Sequence, residues 1–134
     1  MGSTRRITVA LVGLIVLVLV GWVVREQVVS ADDVPGADSG LDVTALSDLP
    51  AEATDTWRLV ESDGPFRYDE DGTTFQNRQG LLPDERADYY REYTVPTPDS
   101  PDRGARRLVT GAADEVYYTA DHYRSFVVVD VSRR

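Results

Sequence analysis

Apolar positions run unbroken from Ile7 to Val24, diluted only by Thr8, Gly13 and Gly21. About 18 residues at ~1.5 Å rise span roughly 27 Å, close to the ~30 Å hydrocarbon core of a bilayer. Arg5 and Arg6 precede the run and predict a cytoplasmic amino terminus, so the rest of the chain lies outside the cytoplasm. Residues 1–31 therefore read as an uncleaved signal anchor, or as a signal peptide cleaved after Ala31 in the small-residue pattern Val29-Ser30-Ala31. The protein is expected to be membrane-anchored with its domain extracytoplasmic, or secreted if cleavage occurs. Residues 32–44 are acidic, carry Pro35, Gly36 and Gly40, and show no apolar period, which predicts a tether. Helical spacing returns at Ala53, Trp57 and Val60, with Pro50 in position for a first turn and Glu52 suited to a helix amino end. Asp63-Gly64-Pro65 stops that helix. Short strand patterns follow: Thr73–Phe75 after the Asp71-Gly72 turn, Tyr89–Val95, Arg106–Thr110, Val116–Thr119 and Ser125–Val131. One helix and then several short strands predict an α+β domain over residues 45–134, its helix packed on an antiparallel sheet. Trp57, Leu59, Leu82, Tyr93, Val95, Leu108, Phe126 and Val128 are the expected core.

Composition narrows the chemistry. The 134 residues hold 14 basic and 23 acidic side chains, a net charge of −9. So acidic a chain has no broad basic surface for nucleic acid, and any such chemistry needs a local basic pocket. Cysteine is absent, which excludes disulfides, thiolate metal sites and thiol nucleophiles. All the basic residues are arginine, so lysine chemistry is excluded, and a single histidine excludes a multi-histidine metal site. Glu92 falls on the strand face shared by Tyr90 and Thr94, with Tyr93 and Val95 on the core side. Arg103, Arg106 and Arg107 form a basic knot, and His122 lies in the loop Asp121-His122-Tyr123. Each alone reads as ordinary surface. Together, a carboxylate, an arginine pair and one histidine suffice for acid–base chemistry on a phosphodiester.

Several motifs in order carry a family resemblance: LPAEATDTW (Leu49–Trp57), SDGPFRY (Ser62–Tyr68), FQNRQGLLP (Phe75–Pro83), YYREYTV (Tyr89–Val95), RGARRLVTG (Arg103–Gly111) and DEVYYTADHY (Asp114–Tyr123). Over Leu46 to Val131 the chain resembles the microbial guanyl-specific ribonucleases of the barnase and streptomycete group, the latter more closely. The resemblance implies the microbial ribonuclease fold. It also implies single-stranded RNA cleavage, by transesterification to a 2′,3′-cyclic phosphate and then hydrolysis to a 3′-phosphate, with no metal or cofactor taking part. It assigns Glu92 as general base, His122 as general acid, Arg103 and Arg107 as the scissile-phosphate pair, and Tyr123 as a phosphate contact. Phe75, Gln76, Asn77 and Arg78 match the base-recognition loop, where backbone N–H groups meet guanine O6 and the aromatic ring stacks on the base. RNA is the implied substrate, a barstar-type protein inhibitor an implied partner, and a monomer the expected state. A non-catalytic binding module on the same scaffold is the second reading; retention of Glu92, Arg103, Arg107 and His122 speaks against it.

Two positions depart from the family pattern. Gln79 stands where the family has a glutamate that accepts from two guanine N–H groups, which predicts weaker guanine discrimination. Ala45 and Arg133 stand where the streptomycete secreted forms carry a disulfide, a bridge of a kind that contributes about 2–5 kcal/mol.

Overall fold

The structure is a computed structural model and describes residues 33–134. The apolar run 7–24 and the cleavage position at Ala31 lie outside the described residues.

One α-helix, α1 (Ala51–Ser62), and six strands make up the domain: β1 (Val43–Ala45), β2 (Thr73–Phe75), β3 (Tyr90–Thr94), β4 (Arg107–Gly111), β5 (Val116–Thr119) and β6 (Val127–Asp130). The sheet order is β1-β6-β5-β4-β3-β2. From β2 to β6 the chain is an antiparallel meander, as the alternating segments predicted. β1 differs from expectation, because it pairs parallel with β6, Val43 opposite Val128 and Thr44 opposite Val129. The connection explains it. The chain leaves β1, crosses through α1 and enters the sheet at the opposite edge, and four hairpin steps then bring β6 back alongside β1 in the same direction. The sheet is thus mixed.

Helix α1 ends where Asp63-Gly64 predicted. Both residues are left-handed (φ 55° and 93°). Gly64 N–H bonds Leu59 O at 2.8 Å and Asp63 N–H bonds Val60 O at 3.2 Å, so the last carbonyls are satisfied as the chain turns away. Buried Thr56 on the helix donates its hydroxyl to Thr94 O at 2.9 Å, which ties α1 to the end of β3.

Residues 33–44 are part of the domain, which corrects the expected tether and the boundary at residue 45. Val34 is buried in the core, with Ala37, Leu41 and Val43 packed against the same cluster. A 3-10 turn at Ala37–Ser39 lies between left-handed Gly36 and Gly40, and Asp42 O accepts from Val128 N–H at 2.8 Å. The apolar residues are spaced by turns, so neither a helical nor a strand period marks them.

Both sheet faces are covered. Alternation along β4 and β5 sends Leu108, Val116 and Tyr118 toward α1, where they meet Leu46, Ala53, Val95 and Val129. It sends Val109 and Tyr117 to the other face, where Tyr90, Leu82, Phe126, Val128 and Val34 complete a second core. Of the expected core, Leu82, Val95, Leu108, Phe126 and Val128 are buried, while Trp57, Leu59 and Tyr93 are half-buried. Tyr90, Val109 and Tyr117 were not expected there. The pattern of a sheet with one solvated face gives no sign of a second core layer.

The main chain joins the segments around Ala45 and Arg133. Ala45 pairs with Asp130 in the β1–β6 ladder. Ser47 N–H donates to Arg133 O at 3.1 Å, and Arg133 Nε meets Asp130 Oδ2 at 2.6 Å.

Candidate active site

Glu92 sits mid-strand in β3, opposite Thr73 of β2 and Val109 of β4. The face it shares with Tyr90 and Thr94 is the second core face, so its side chain is only 15% exposed; the expected solvated face is corrected. Two donors hold its two oxygens. Arg103 Nη2 donates to Oε1 at 3.0 Å, and the Tyr123 hydroxyl donates to Oε2 at 2.5 Å. Burial, and then the hydrogen bond to Glu92, push the Tyr123 phenol well above its ordinary value, while Arg107 opposes the shift. Tyr123 therefore stays a donor at any working pH.

Arg103 and Arg107 come from the loop into β4. Asp102 Oδ1 shapes that loop by accepting from Ser100 Oγ at 2.9 Å and from Gly104 N–H at 2.8 Å. The Gly104 contact first, and the Ser100 hydroxyl second, hold the Asp102 carboxyl below the usual carboxylate range. Gly104 is left-handed (φ +66°), and a Cβ there would come within 2.5 Å of Thr97 Oγ1. Arg103 Nε donates to Thr94 Oγ1 at 3.0 Å. Arg107 is 2% exposed. Its Nη1 donates to Arg106 O at 2.8 Å and Gly104 O at 3.1 Å, and its Nε has no hydrogen-bond partner among the described residues. A buried guanidinium with a spare donor suits an anion better than solvent does.

His122 and Tyr123 lie between β5 and β6, both left-handed (φ 54° and 73°). Asp121 pins this loop. Its carboxylate accepts from Ser125 Oγ at 2.6 Å, from Thr119 Oγ1 at 2.9 Å, and from the N–H groups of Ser125 and Arg124 at 2.9 and 3.1 Å. The Ser125 hydroxyl is the main reason the Asp121 carboxyl is held low. Thr119 Oγ1 in turn accepts from Tyr123 N–H at 3.1 Å. His122 N–H donates to Ala105 O at 2.9 Å, which links the histidine loop to the arginine loop. The imidazole is exposed and stands 4.8 Å from the Tyr123 ring.

The loop after β2 forms the other wall. Phe75 stacks on Tyr123, ring centroids 4.8 Å apart and 27° between planes, and its edges meet Phe126 and Tyr90. Asn77, left-handed at φ 51°, spends its side chain on the loop itself. Nδ2 donates to Leu82 O at 2.9 Å and Oδ1 accepts from Leu82 N–H at 3.2 Å. Arg78 Nε donates to Gln76 Oε1 at 2.8 Å. A cleft of about 370 Å³ is lined by Thr74 and Phe75 to Gln79, with Glu92 and Tyr123. The structure thus gathers the sequence-predicted residues. Seven of them line the cleft, Arg103 and His122 adjoin it through Glu92 and Tyr123, and buried Arg107 neighbours Tyr123. Sequence reasoning missed the supports Thr94, Asp102, Thr119 and Asp121. Asp121 was legible in the DHY motif, but nothing in the chain pattern marks the two threonines. Among the described residues, no group of three or more His, Cys, Asp or Glu side chains is placed to share a metal ion.

The same architecture occurs in known proteins. A family profile described as ribonuclease matches residues 33–130. Guanyl-specific ribonuclease St of Saccharopolyspora erythraea is 57% identical over 91 residues, covering 68% of this chain and 90% of that protein. Guanyl-specific ribonuclease Sa of Kitasatospora aureofaciens is 56% identical over 86 residues, 63% of this chain and 90% of its own length. Among solved structures, ribonuclease Sa2 with guanosine-2′-cyclophosphate superposes with a TM-score of 0.66 at 42% identity, covering 69% of this chain and 98% of that one. Ribonuclease Sa2 with 3′-GMP gives a TM-score of 0.64 at 42% identity, with 68% and 98% covered. With its family match spanning most of the chain and its relatives matched over nearly their whole length, this chain belongs to the ribonuclease family.

Proposed function

We propose that the protein is an endoribonuclease that cleaves single-stranded RNA after guanine, through a 2′,3′-cyclic phosphate that is then hydrolysed to a 3′-phosphate. One observation carries the reading: the arginine–carboxylate–tyrosine chain Arg103–Glu92–Tyr123 at a cleft whose far wall is the Phe75–Gln79 loop. The ligands of the related ribonuclease Sa2, a guanosine cyclophosphate and 3′-GMP, support the substrate class.

The nucleophile, a ribose 2′-hydroxyl, sits in the substrate beside the phosphorus, so the protein supplies none. Glu92 accepts the 2′-hydroxyl proton as the oxygen attacks. His122, exposed at the other side of Tyr123, gives a proton to the departing 5′-oxygen. Charge gathers on the phosphoryl oxygens, where the forks of Arg103 and Arg107 meet it and Tyr123 adds a third donor. At rest Arg103 and Tyr123 occupy both Glu92 oxygens. A phosphate that takes their donors leaves Glu92 free to act as base. In the cyclic-phosphate step the roles of Glu92 and His122 reverse. The need for a 2′-hydroxyl restricts cleavage to RNA.

Gln79 lines the cleft as one of its exposed residues. Its amide offers guanine one acceptor and one mismatched donor, so base preference is guanine with reduced discrimination. The apolar run 7–24 and flanking Arg5 and Arg6 support action outside the cytoplasm, and a barstar-type protein is the inhibitor class that the family implies.

The test is direct. The full chain in detergent, with chelator present, should cut single-stranded RNA and release 2′,3′-cyclic ends before 3′-phosphates. Glu92→Ala and His122→Ala should each lower kcat/KM by about 10²–10⁴-fold. Undiminished cleavage by either folded variant rejects the assigned roles.

A further inference from the structure

The guanidinium of Arg103 stands between two carboxylates, and the chemistry above uses only one. Glu92 Oε1 accepts from Nη2 at 3.0 Å. Glu70 Oε2 lies 3.7 Å from Nε, its side chain 53% exposed. The fold does not depend on that carboxylate. It is the Glu70 carbonyl that accepts from Thr73 N–H at 3.1 Å and Thr73 Oγ1 at 2.7 Å. The turn is pinned by the neighbouring Asp71, which accepts from Tyr68 N–H at 3.2 Å and Thr94 N–H at 2.7 Å. A half-exposed ion pair of this length adds little to stability. What the Glu70 carboxylate does alter is the field at the group that meets phosphate.

We propose that Glu70 determines specificity by charge at the phosphate subsite: it repels phosphomonoester dianions from Arg103 more than phosphodiester or cyclic-phosphate monoanions. The inference rests on Arg103 as a phosphate ligand. A phosphomonoester carries about −1.5 to −2 at pH 7, because its second pKa is about 6. A diester carries one negative charge. Coulomb repulsion from a fixed carboxylate scales with ligand charge, so a penalty of a given factor on a monoanion becomes roughly its square on a dianion. Rearrangement of the Glu70–Arg103 pair is common to both ligands and cancels in their ratio. The 3′-phosphate product is therefore held less tightly, relative to substrate and cyclic intermediate, than Arg103 and Arg107 alone would hold it, and the site clears after hydrolysis.

Glu70→Gln removes the charge at nearly constant size and leaves the Arg103 Nε bond to Thr94 Oγ1 in place. The full chain carrying His122→Ala, to slow turnover, serves as background. Calorimetry measures guanosine 3′-phosphate and guanosine 2′,3′-cyclic phosphate binding at pH 7.5 and about 0.1 M salt, with and without Glu70→Gln. The change should tighten the cyclic monoanion by roughly two- to three-fold and the dianion by roughly four- to nine-fold. The difference should shrink in about 1 M salt, where the screening length falls to ~3 Å. Equal gains for the two ligands, no gain, or weaker binding would overturn the proposal. Arg103→Ala in the same background separates the underlying reading. If it weakens both ligands while Glu70→Gln treats them alike, only the role of Glu70 is lost. If it weakens neither, Arg103 is not a phosphate ligand and both fall.

Discussion

Each carboxylate oxygen of Glu92 is held by its own donor, one by Arg103 and the other by Tyr123. A carboxylate so held is positioned before any substrate arrives, and preorganisation of this kind is where much of enzymatic rate enhancement originates. Gln79 is its opposite, an exposed residue on the cleft wall. If this loop reads the base as proposed, backbone N–H groups near Asn77 favour an O6 acceptor, which guanine has and adenine lacks. The Gln79 amide instead matches an acceptor–donor edge such as adenine N1 and N6. Each preference is worth about 1–3 kcal/mol, so they nearly balance. Gln79→Glu should raise the kcat/KM ratio of GpC over ApC by about ten-fold, or ~1.4 kcal/mol. An unchanged ratio would mean that residue 79 does not meet the base.

At the scale of elements, three loops on one sheet carry the site, and each is set by its own internal hydrogen bonds. Asn77 closes the loop after β2, Asp102 and Gly104 shape the arginine loop, and Asp121 pins the histidine loop. The His122 N–H to Ala105 O bond then fixes the second and third relative to each other. Gly104 is the tightest point, with positive φ and a near contact to Thr97 Oγ1, whereas Gly80 has the same φ of +66° and open space around it. Gly80→Ala should therefore cost about 1 kcal/mol, the strain of a left-handed alanine. Gly104→Ala should cost about 2–3 kcal/mol and also lower kcat/KM, because Arg103 and Arg107 flank it. Thermal melts and kinetics on the two variants check this, and equal effects would mean that the Thr97 contact relaxes freely.

For the whole molecule, buried phenols and hydrogen-bonded carboxylates set the pH range of the fold. Asp102, Asp121 and Asp130 are all held below the usual carboxylate value, chiefly by Gly104 N–H, the Ser125 hydroxyl and the Ser132 hydroxyl respectively. A depressed folded pKa means that the unfolded chain takes up protons first as pH falls. Their contribution is thus complete above an unfolded value of about 3.9 and is lost as pH falls through their folded values. Tyr90 and Tyr117 shift the other way, raised chiefly by burial. Their contribution is complete below about pH 10 and drains away as pH rises beyond it. The Tm should accordingly be flat with respect to these groups from about pH 5 to 9, falling on both sides. Asp130→Asn should lower Tm at neutral pH and shallow the acid limb. A Tm profile from pH 2 to 11 on both proteins reads this, and an unaltered acid limb would remove Asp130 from the account.

Alternation of apolar and polar residues was enough to place α1 and the meander from β2 to β6, because local periodicity and turn chemistry reach only a few residues along the chain. The helix stop at Asp63-Gly64 and the turn before β2 are of that kind. Motifs in order named residues that the structure gathers at and beside one cleft, and composition removed thiol and lysine chemistry. Other features came from contacts distant in sequence. β1 is parallel to β6 because α1 carries the chain across the sheet. Val34 and its turn belong to the core because β6 and Tyr117 are there to receive them. Glu92 is shielded because a second core layer covers its face. The pairing of Arg103 with both Glu92 and Glu70 belongs here too. A one-dimensional pattern records which side chains are apolar or charged, while pairing across a sheet depends on which segments meet after the chain has closed its long loops.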